Sequence, residues 1–281
     1  MFLWRYMSDN QDNELPDSKI EGAINAVTGL VKAVPVYEDA LQPVAKETGK
    51  ALQTVGKAVN AALLPIRGLV WGIEQIESFV HTKVAKKLEK IPVDNIQTPD
   101  PAVAGPALES LRYTGHKESL SELYANLLAS SMDSETAINA HPGFVEIIRN
   151  LSADEAKVLT FIFSQKVTPL IDIRREEKSD NSGVNLHEFV GTIASDSGCE
   201  HLNLIGSYLI NLERLGLIEL DKGRFLTAPD AYTRITDDPA VKYIIDTLND
   251  SPDFKAEVVK YFAKLTQFGY QFGLACIVSK G

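Results

Sequence analysis

Residues 168–174 read TPLIDIR. Before this stretch the sequence has helical patterns only, and from this stretch onward it has strand patterns as well. Apolar and polar residues alternate along this stretch, which is rich in β-forming residues, so we expect a strand. Helical patterns follow at 186–194 and 201–215, then a strand at 217–220, a turn at 221–223 and a return strand at 224–227. The order helix, strand, helix, helix, hairpin is typical of a winged-helix module.

Helical periodicity dominates the rest of the chain. Apolar residues recur at helical spacing in 20–34 and in 37–90, where Pro65 should kink the helix because it lacks an N–H. After a proline-rich connector at 92–106 we expect a helix at 107–112. Ser119 with Glu122, and Ser152 with Glu155, have the spacing of capping boxes that begin two further helices.

Two more helices are expected at the end of the chain, at 239–248 and 253–276. The last is expected to pack back on the protein through five apolar residues, Phe262, Leu265, Phe268, Phe272 and Leu274. We therefore predict a mainly α fold: a helical N-terminal half with kinked amphipathic helices, then an α+β winged-helix-like C-terminal portion. The predicted regions are a disordered tail (1–19), a helical amphipathic region (20–98), a helical linker or core region (99–150) and the winged-helix-like portion with C-terminal helices (151–281).

Charge is distributed unevenly along the chain. The 281 residues carry a formal net charge of −10, which disfavours non-specific binding to nucleic acids. Residues 41–90 nevertheless contain eight cations and four anions, a net charge of +4, and no acidic residue lies between Glu47 and Glu74. The remaining residues must then sum to −14.

The basic segment is also apolar, and this combination predicts a site of interaction. A helix with cations on one face and apolar residues on the other can lie in an anionic membrane surface or bind a partner protein. Gly68 and Gly72 have the GxxxG spacing that lets two helices pack closely, so a homo-oligomer is a further expectation. Alternatively, the apolar face packs against the rest of the protein and residues 83–90 form a solvated end. The predicted interaction residues are Lys50, Lys57, Leu64, Arg67, Gly68, Trp71 and Gly72.

Three chemical alternatives have weaker support. A winged-helix DNA-binding regulator would use the helix at 201–215, but residues 200–224 hold more anions than cations, so DNA is an unfavourable partner. Asp172 followed by Glu176, Glu177 and Lys178 resembles a metal-dependent nuclease site, although the last three residues are expected in a loop. His187, Cys199 and His201 lack the fourth soft ligand of a zinc site. We predict no catalytic, cofactor-binding or metal-binding residues.

Five blocks in order resemble the abortive-infection alpha family of bacterial proteins: residues 37–72 (YEDALQPVAKETGKALQTVGKAVNAALLPIRGLVWG), 101–114 (PAVAGPALESLRYT), 122–133 (ELYANLLASSMD), 140–159 (AHPGFVEIIRNLSADEAKVL) and 265–277 (LTQFGYQFGLACI). The resemblance implies antiphage defence, in which the infected host stops growing or dies before phage release. It provides no catalytic residues to transfer. We therefore expect a non-enzymatic effector or adaptor that acts through a membrane or protein partner. The two cysteines and the absence of a signal sequence predict a cytoplasmic protein, peripheral to the inner membrane if the membrane is its partner.

Overall fold

The computed structural model of the chain describes residues 70–279. Its first helix, α1, has three consecutive parts, an α-helical Ile73–Phe79, a π-helical Val80–Val84 and an α-helical Ala85–Leu88. The other helices are α2 (Pro101–Thr114), α3 (Glu118–Met132), α4 (Gly143–Arg149), α5 (Ala153–Gln165), α6 (Ile193–Asp196), α7 (Ile205–Arg214), α8 (Thr233–Thr236), α9 (Pro239–Asn249) and α10 (Gln267–Cys276). The strands are β1 (Val167–Glu177), β2 (Gly183–Val190), β3 (Ile218–Asp221) and β4 (Phe254–Leu265).

The four strands form one antiparallel sheet in the order β2-β1-β4-β3. β1 and β4 pair along their whole length, from Val167 opposite Lys264 to Glu177 opposite Phe254. One face of this central pair contributes Leu170 to the helical core, and the other contributes Ile171 and Ile173 to a second apolar cluster beneath α8 and α9. Because both faces are covered, β1 carries apolar residues at successive positions.

The predicted fold class, mainly α with a winged-helix-like C-terminal portion, is wrong. The chain is a mixed α/β protein whose sheet joins strands far apart in sequence. In a winged helix, the strand at 217–220 would pair with a return strand at 224–227. β3 instead pairs with β4, with Ile218 opposite Leu265, and 224–227 is a loop in which the Leu226 N–H donates to the Tyr232 hydroxyl at 3.0 Å.

Two predicted helices are strands in the structure. The segment expected as a helix at 186–194 contains most of β2, and only Ile193–Asp196 is helical. The expected last helix at 253–276 is divided into β4 and α10, so Phe262 and Leu265 lie in a strand and Phe268, Phe272 and Leu274 in a helix. The strand predicted at 168–174 is confirmed and is longer than expected, because 175–177 continue it rather than forming a loop.

Helix starts follow local chemistry, with two departures from the sequence analysis. α2 begins at Pro101, where the Asp100 carboxylate accepts the Ala102 N–H at 2.8 Å, and it continues through Pro106 instead of starting at 107. The capping box of Ser152 and Glu155 is present at α5. That of Ser119 and Glu122 is absent, because α3 starts at Glu118. The Ser119 hydroxyl donates to the Ala153 carbonyl.

The core is centred on α3, which packs against α1, α2, α4, α5 and α10. Its buried polar residues bind the end of α10: the Asn126 amide donates to the Cys276 carbonyl at 2.9 Å and the Ser130 hydroxyl to the Ala275 carbonyl at 2.9 Å. These bonds satisfy carbonyls that a helix end leaves without intrahelical donors. Gly269 allows α10 to approach β3, since a Cβ there would lie 1.9 Å from the Leu217 carbonyl oxygen.

Candidate functional site

The predicted interaction residues divide at the start of the described chain. Five of them lie outside the described residues: Lys50, Lys57, Leu64, Arg67 and Gly68. Trp71 and Gly72 lie inside, at the entry to α1. The predicted tail at 1–19 and most of the predicted region 20–98 are also outside the described residues.

Trp71 fixes the start of α1 to the turn between α2 and α3. Its backbone N–H donates to the Arg112 carbonyl at 2.8 Å, and the centre of its ring lies 5.7 Å from the centre of the Phe79 ring. The ring also covers Gly115, where a Cβ would lie 2.4 Å from it, so only glycine fits beneath the indole. Gly72 is exposed and precedes the first helical residue; its N–H donates to the Gln75 side chain at 2.9 Å. Trp71 is therefore a contact within the folded body.

The apolar face of α1 is inside the protein. Ile76, Phe79, Val80, Val84 and Leu88 are each at most 4% exposed and belong to the main core cluster. The part of the basic and apolar segment that follows Gly72 therefore packs against the body, as the alternative interpretation held. These five side chains of α1 are therefore not available to another molecule.

The lysines in α1 and just after its end differ in exposure. Lys86 and Lys90 are exposed, whereas the side chain of Lys87 is only 8% exposed and forms an ion pair with Glu122 of α3. Lys83 forms an ion pair with Glu118 and lies 3.7 Å from Glu122. The expectation that 83–90 is a solvated end is therefore correct only in part.

A second site, which the sequence analysis did not identify as such, surrounds Asp172 in β1. Asp172 is 2% exposed, and one of its oxygens accepts the Tyr261 hydroxyl at 2.8 Å and the Phe189 N–H at 3.0 Å. Its other oxygen accepts the Lys222 ammonium at 2.8 Å. That ammonium lies 4.9 Å from the centre of the Phe189 ring and 5.0 Å from that of Tyr261, distances suited to cation–π contacts.

Backbone strain accompanies this cluster. Phe189 has a φ of 59°, a value that bulky side chains rarely adopt, at a point where the pairing of β2 with β1 shifts register. The shift directs the Phe189 N–H at Asp172. Burial and the bond to Asp172 raise the pKa of Tyr261 far above its usual range, so the phenol stays protonated and donates. Every polar group named here has a partner within the protein, and the cluster joins β1, β2, β4 and the turn after β3.

The residues considered for a nuclease site, for a zinc site and for DNA binding make other contacts in the structure. Lys178, the basic residue of the proposed nuclease site, donates to the Ser251 carbonyl at 2.8 Å, while Glu176 lies 3.3 Å from Lys255. Within residues 70–279, His, Cys, Asp and Glu side chains form no group of three or more that could hold a metal ion. Asn211, on the helix that a DNA-binding regulator would use, donates to Glu155 at 2.8 Å, so this side chain is engaged within the protein.

A third polar centre lies at the start of α5. The Asp154 carboxylate, 5% exposed, accepts the N–H groups of Glu200 and His201 at 3.0 Å each and the Tyr208 hydroxyl at 3.1 Å. Burial alone would raise the pKa of Asp154, but these donors and Lys157 outweigh it and hold the pKa well below its usual range. Burial and the bond to Asp154 raise the pKa of Tyr208 to about 12. Cys199 and His201, which the sequence analysis considered and rejected as zinc ligands, lie in this loop.

None of the helices within residues 70–279 has the length and apolar character needed to cross a membrane.

Comparison with known proteins adds a family assignment. No curated protein matches the chain. A solved structure of an uncharacterized protein from the hydrocarbon-degrading marine bacterium Alcanivorax borkumensis SK2 is similar over 52% of this chain and 96% of that chain, with 16% sequence identity and a TM-score of 0.32. These values are too low to support an argument. Residues 72–276 match the family model described as abortive infection alpha, a range that covers four of the five resembling blocks almost completely and leaves 37–71 outside. The chain belongs to the abortive infection alpha family.

Proposed function

We propose that this protein serves bacterial antiphage defence without chemistry of its own, by attaching residues 41–72 to an anionic membrane surface. Family membership supports the defence role. The net charge of +3 in 41–72, from four cations and Glu47, against −10 for the whole chain, supports an anionic target. The proposal places the protein in the cytoplasm, peripheral to the inner membrane when bound. A protein partner with an acidic face would use the same cations and is a distinguishable outcome of the test.

The observation that carries the proposal is the division of the segment at Trp71. After Trp71 the apolar residues pack into the body, so α1 serves as an anchor. Before it, residues 58–69 read AVNAALLPIRGL, a sequence with one formal charge. An apolar and basic segment attached to a fixed helix can bind a surface while the body stays folded.

Flotation with vesicles tests the proposal. We expect the intact chain to float with phosphatidylglycerol vesicles at low salt and to lose most of this binding when Lys50, Lys57 and Arg67 are replaced by Glu, because each cation near an anionic surface contributes about 1 kcal/mol. The matched control replaces three exposed lysines of the body, Lys90, Lys166 and Lys242, by Glu. Equal loss in both variants, or no flotation by the intact chain, overturns the membrane proposal.

A cellular assay tests the defence role. Cells that express the intact chain should plate phage less efficiently than cells that express Leu64→Asp, which places a charge in the apolar segment. Membrane potential followed after infection separates the two kinds of target. A fall in membrane potential with the intact chain but not with Leu64→Asp supports the membrane as the target. Protection with an unchanged membrane potential supports a protein partner.

A further inference from the structure

A charged cavity lies between α1, α3 and the end of the described chain. Its volume is about 330 Å³, which is at the lower end of the range for small-molecule sites. Six residues line it: Lys83, Lys86, Lys87, Glu118, Glu122 and Ser279. None of these was among the predicted interaction residues, and the cavity belongs to the folded body.

The lining combines three ammonium groups with two carboxylates, a net charge of +1 in a chain whose net charge is −10. Lys87 is held by Glu122 and is almost fully buried, so its ammonium is fixed before any ligand arrives. Glu118 is 82% exposed at its side chain, and because exposed ion pairs contribute little to stability, the Lys83 ammonium can exchange this partner for a ligand anion.

The start of α3 adds to the positive potential. Glu118 and Glu122 lie in the first turns of this 15-residue helix, and its N-cap residue, Lys117, makes no side-chain capping bond. The N-terminus of a helix carries a partial positive charge and N–H groups without intrahelical partners, which suits an anion. The end of α1 at Leu88 opposes this in part, since the negative end of its dipole lies there.

We propose that this cavity binds a phosphate group, carried either by a small molecule or by a lipid headgroup. Lys87, fixed by Glu122, lies with Lys83 and Lys86 beside a helix N-terminus, and lysine ammonium groups form charge-assisted hydrogen bonds with phosphate oxygens as point charges. The site is independent of residues 41–72, so it goes beyond the membrane attachment proposed above.

Calorimetric titration of the full chain with inorganic phosphate at low salt is the first test. We expect saturable binding, weakened about tenfold or more when Lys83 and Lys86 are both replaced by Gln, because two charge-assisted hydrogen bonds to the phosphate oxygens are lost. Lys242→Gln, an exposed lysine on α9, is the matched control and should bind as the intact chain does. Lys87 stays unchanged because its loss would leave Glu122 with a weaker partner, and thermal unfolding of each variant checks the fold.

Flotation with phosphatidylglycerol vesicles distinguishes the source of the phosphate. Flotation that depends on Lys83 and Lys86, without a phosphate titration signal, assigns a lipid headgroup. A phosphate titration signal that depends on these lysines, with flotation that does not, assigns a small molecule. If neither probe depends on these two lysines, the proposal is wrong. The variant with Glu at 50, 57 and 67 should titrate phosphate normally, so failure of membrane attachment and failure of the cavity give different results.

Discussion

The helical part of the described chain, α1–α5 with α10, and the sheet part, β1–β4 with α6–α9, are stabilised by different interactions. Of the twelve largest fully buried side chains within residues 70–279, eleven belong to the helical part, and only Tyr261 lies in a strand. The sheet part instead buries the charged cluster of Asp172, with Lys222 and two aromatic rings around it. The helical part is stabilised mainly by apolar burial, whereas the sheet part combines its own apolar cluster with a buried polar link between strands distant in sequence.

This difference determines how each part should respond to substitution. Apolar stabilisation is non-directional and scales with the area removed from water, so deletions in the helical part should cost in proportion to side-chain volume. A buried polar cluster is directional, and its members depend on one another. Substitutions there should be non-additive.

Phe144→Ala should have the largest effect. Phe144 is 1% exposed, and its ring lies 5.3 Å from Phe272 and 5.5 Å from Phe268, so it joins α4 to α10. We expect the free energy of unfolding to fall by about 3–5 kcal/mol, measured by urea denaturation. Tyr243→Ala is the control: Tyr243 is 73% exposed on α9 and should change stability by about 0.5 kcal/mol or less. A loss near 1 kcal/mol for Phe144→Ala would contradict the apolar account of the helical part.

Asp172→Asn should have an intermediate effect, because it removes the charge that binds Lys222 and keeps the shape of the side chain. We expect a loss of about 1–3 kcal/mol in the free energy of unfolding. Asp246→Asn, an exposed position on α9, should be close to neutral.

A double-mutant cycle with Lys222→Met separates direct coupling from general damage. Lys222→Met alone leaves Asp172 buried with two donors instead of three. The double variant should therefore lose less than the two single variants together, by about 1 kcal/mol. Strict additivity would mean that the cluster does not stabilise the sheet part as a unit.

The sequence predicted the helical part well because its signals are local. The capping box at Ser152 and the periodicities of α3 and α5 depend on residues within one or two turns. β2 and β4 were assigned as helices because what makes them strands is their pairing with β1, and β4 lies about 90 residues from its partner positions. The spacing of apolar residues alone does not distinguish a helix from a strand when the partner strand is distant in sequence.

The candidate sites were predictable only in part. The basic and apolar character of 41–72 is visible in composition, but the burial of α1 depends on which helix it meets. Asp172 was noted only as a member of a nuclease motif with Glu176. Its real partners, Phe189, Lys222 and Tyr261, come from three other places in the chain. No local spacing connects them.

The smallest predicted effect concerns pH and the Asp154 centre, which joins the helical part to the loop before α7. The folded pKa of Asp154 lies below its unfolded value of about 3.9, so its contribution to stability is complete above the unfolded value and is lost progressively as the pH falls from there through the folded pKa. We expect the free energy of unfolding to fall by about 1 kcal/mol more between pH 5 and pH 3 in the intact chain than in Asp154→Asn. Urea denaturation at the two pH values measures this difference, and Asp250→Asn, exposed at the end of α9, should keep the pH dependence of the intact chain. The same pH dependence in Asp154→Asn would mean that its donors do not favour the carboxylate, and that the contact between the two parts rests on apolar packing alone.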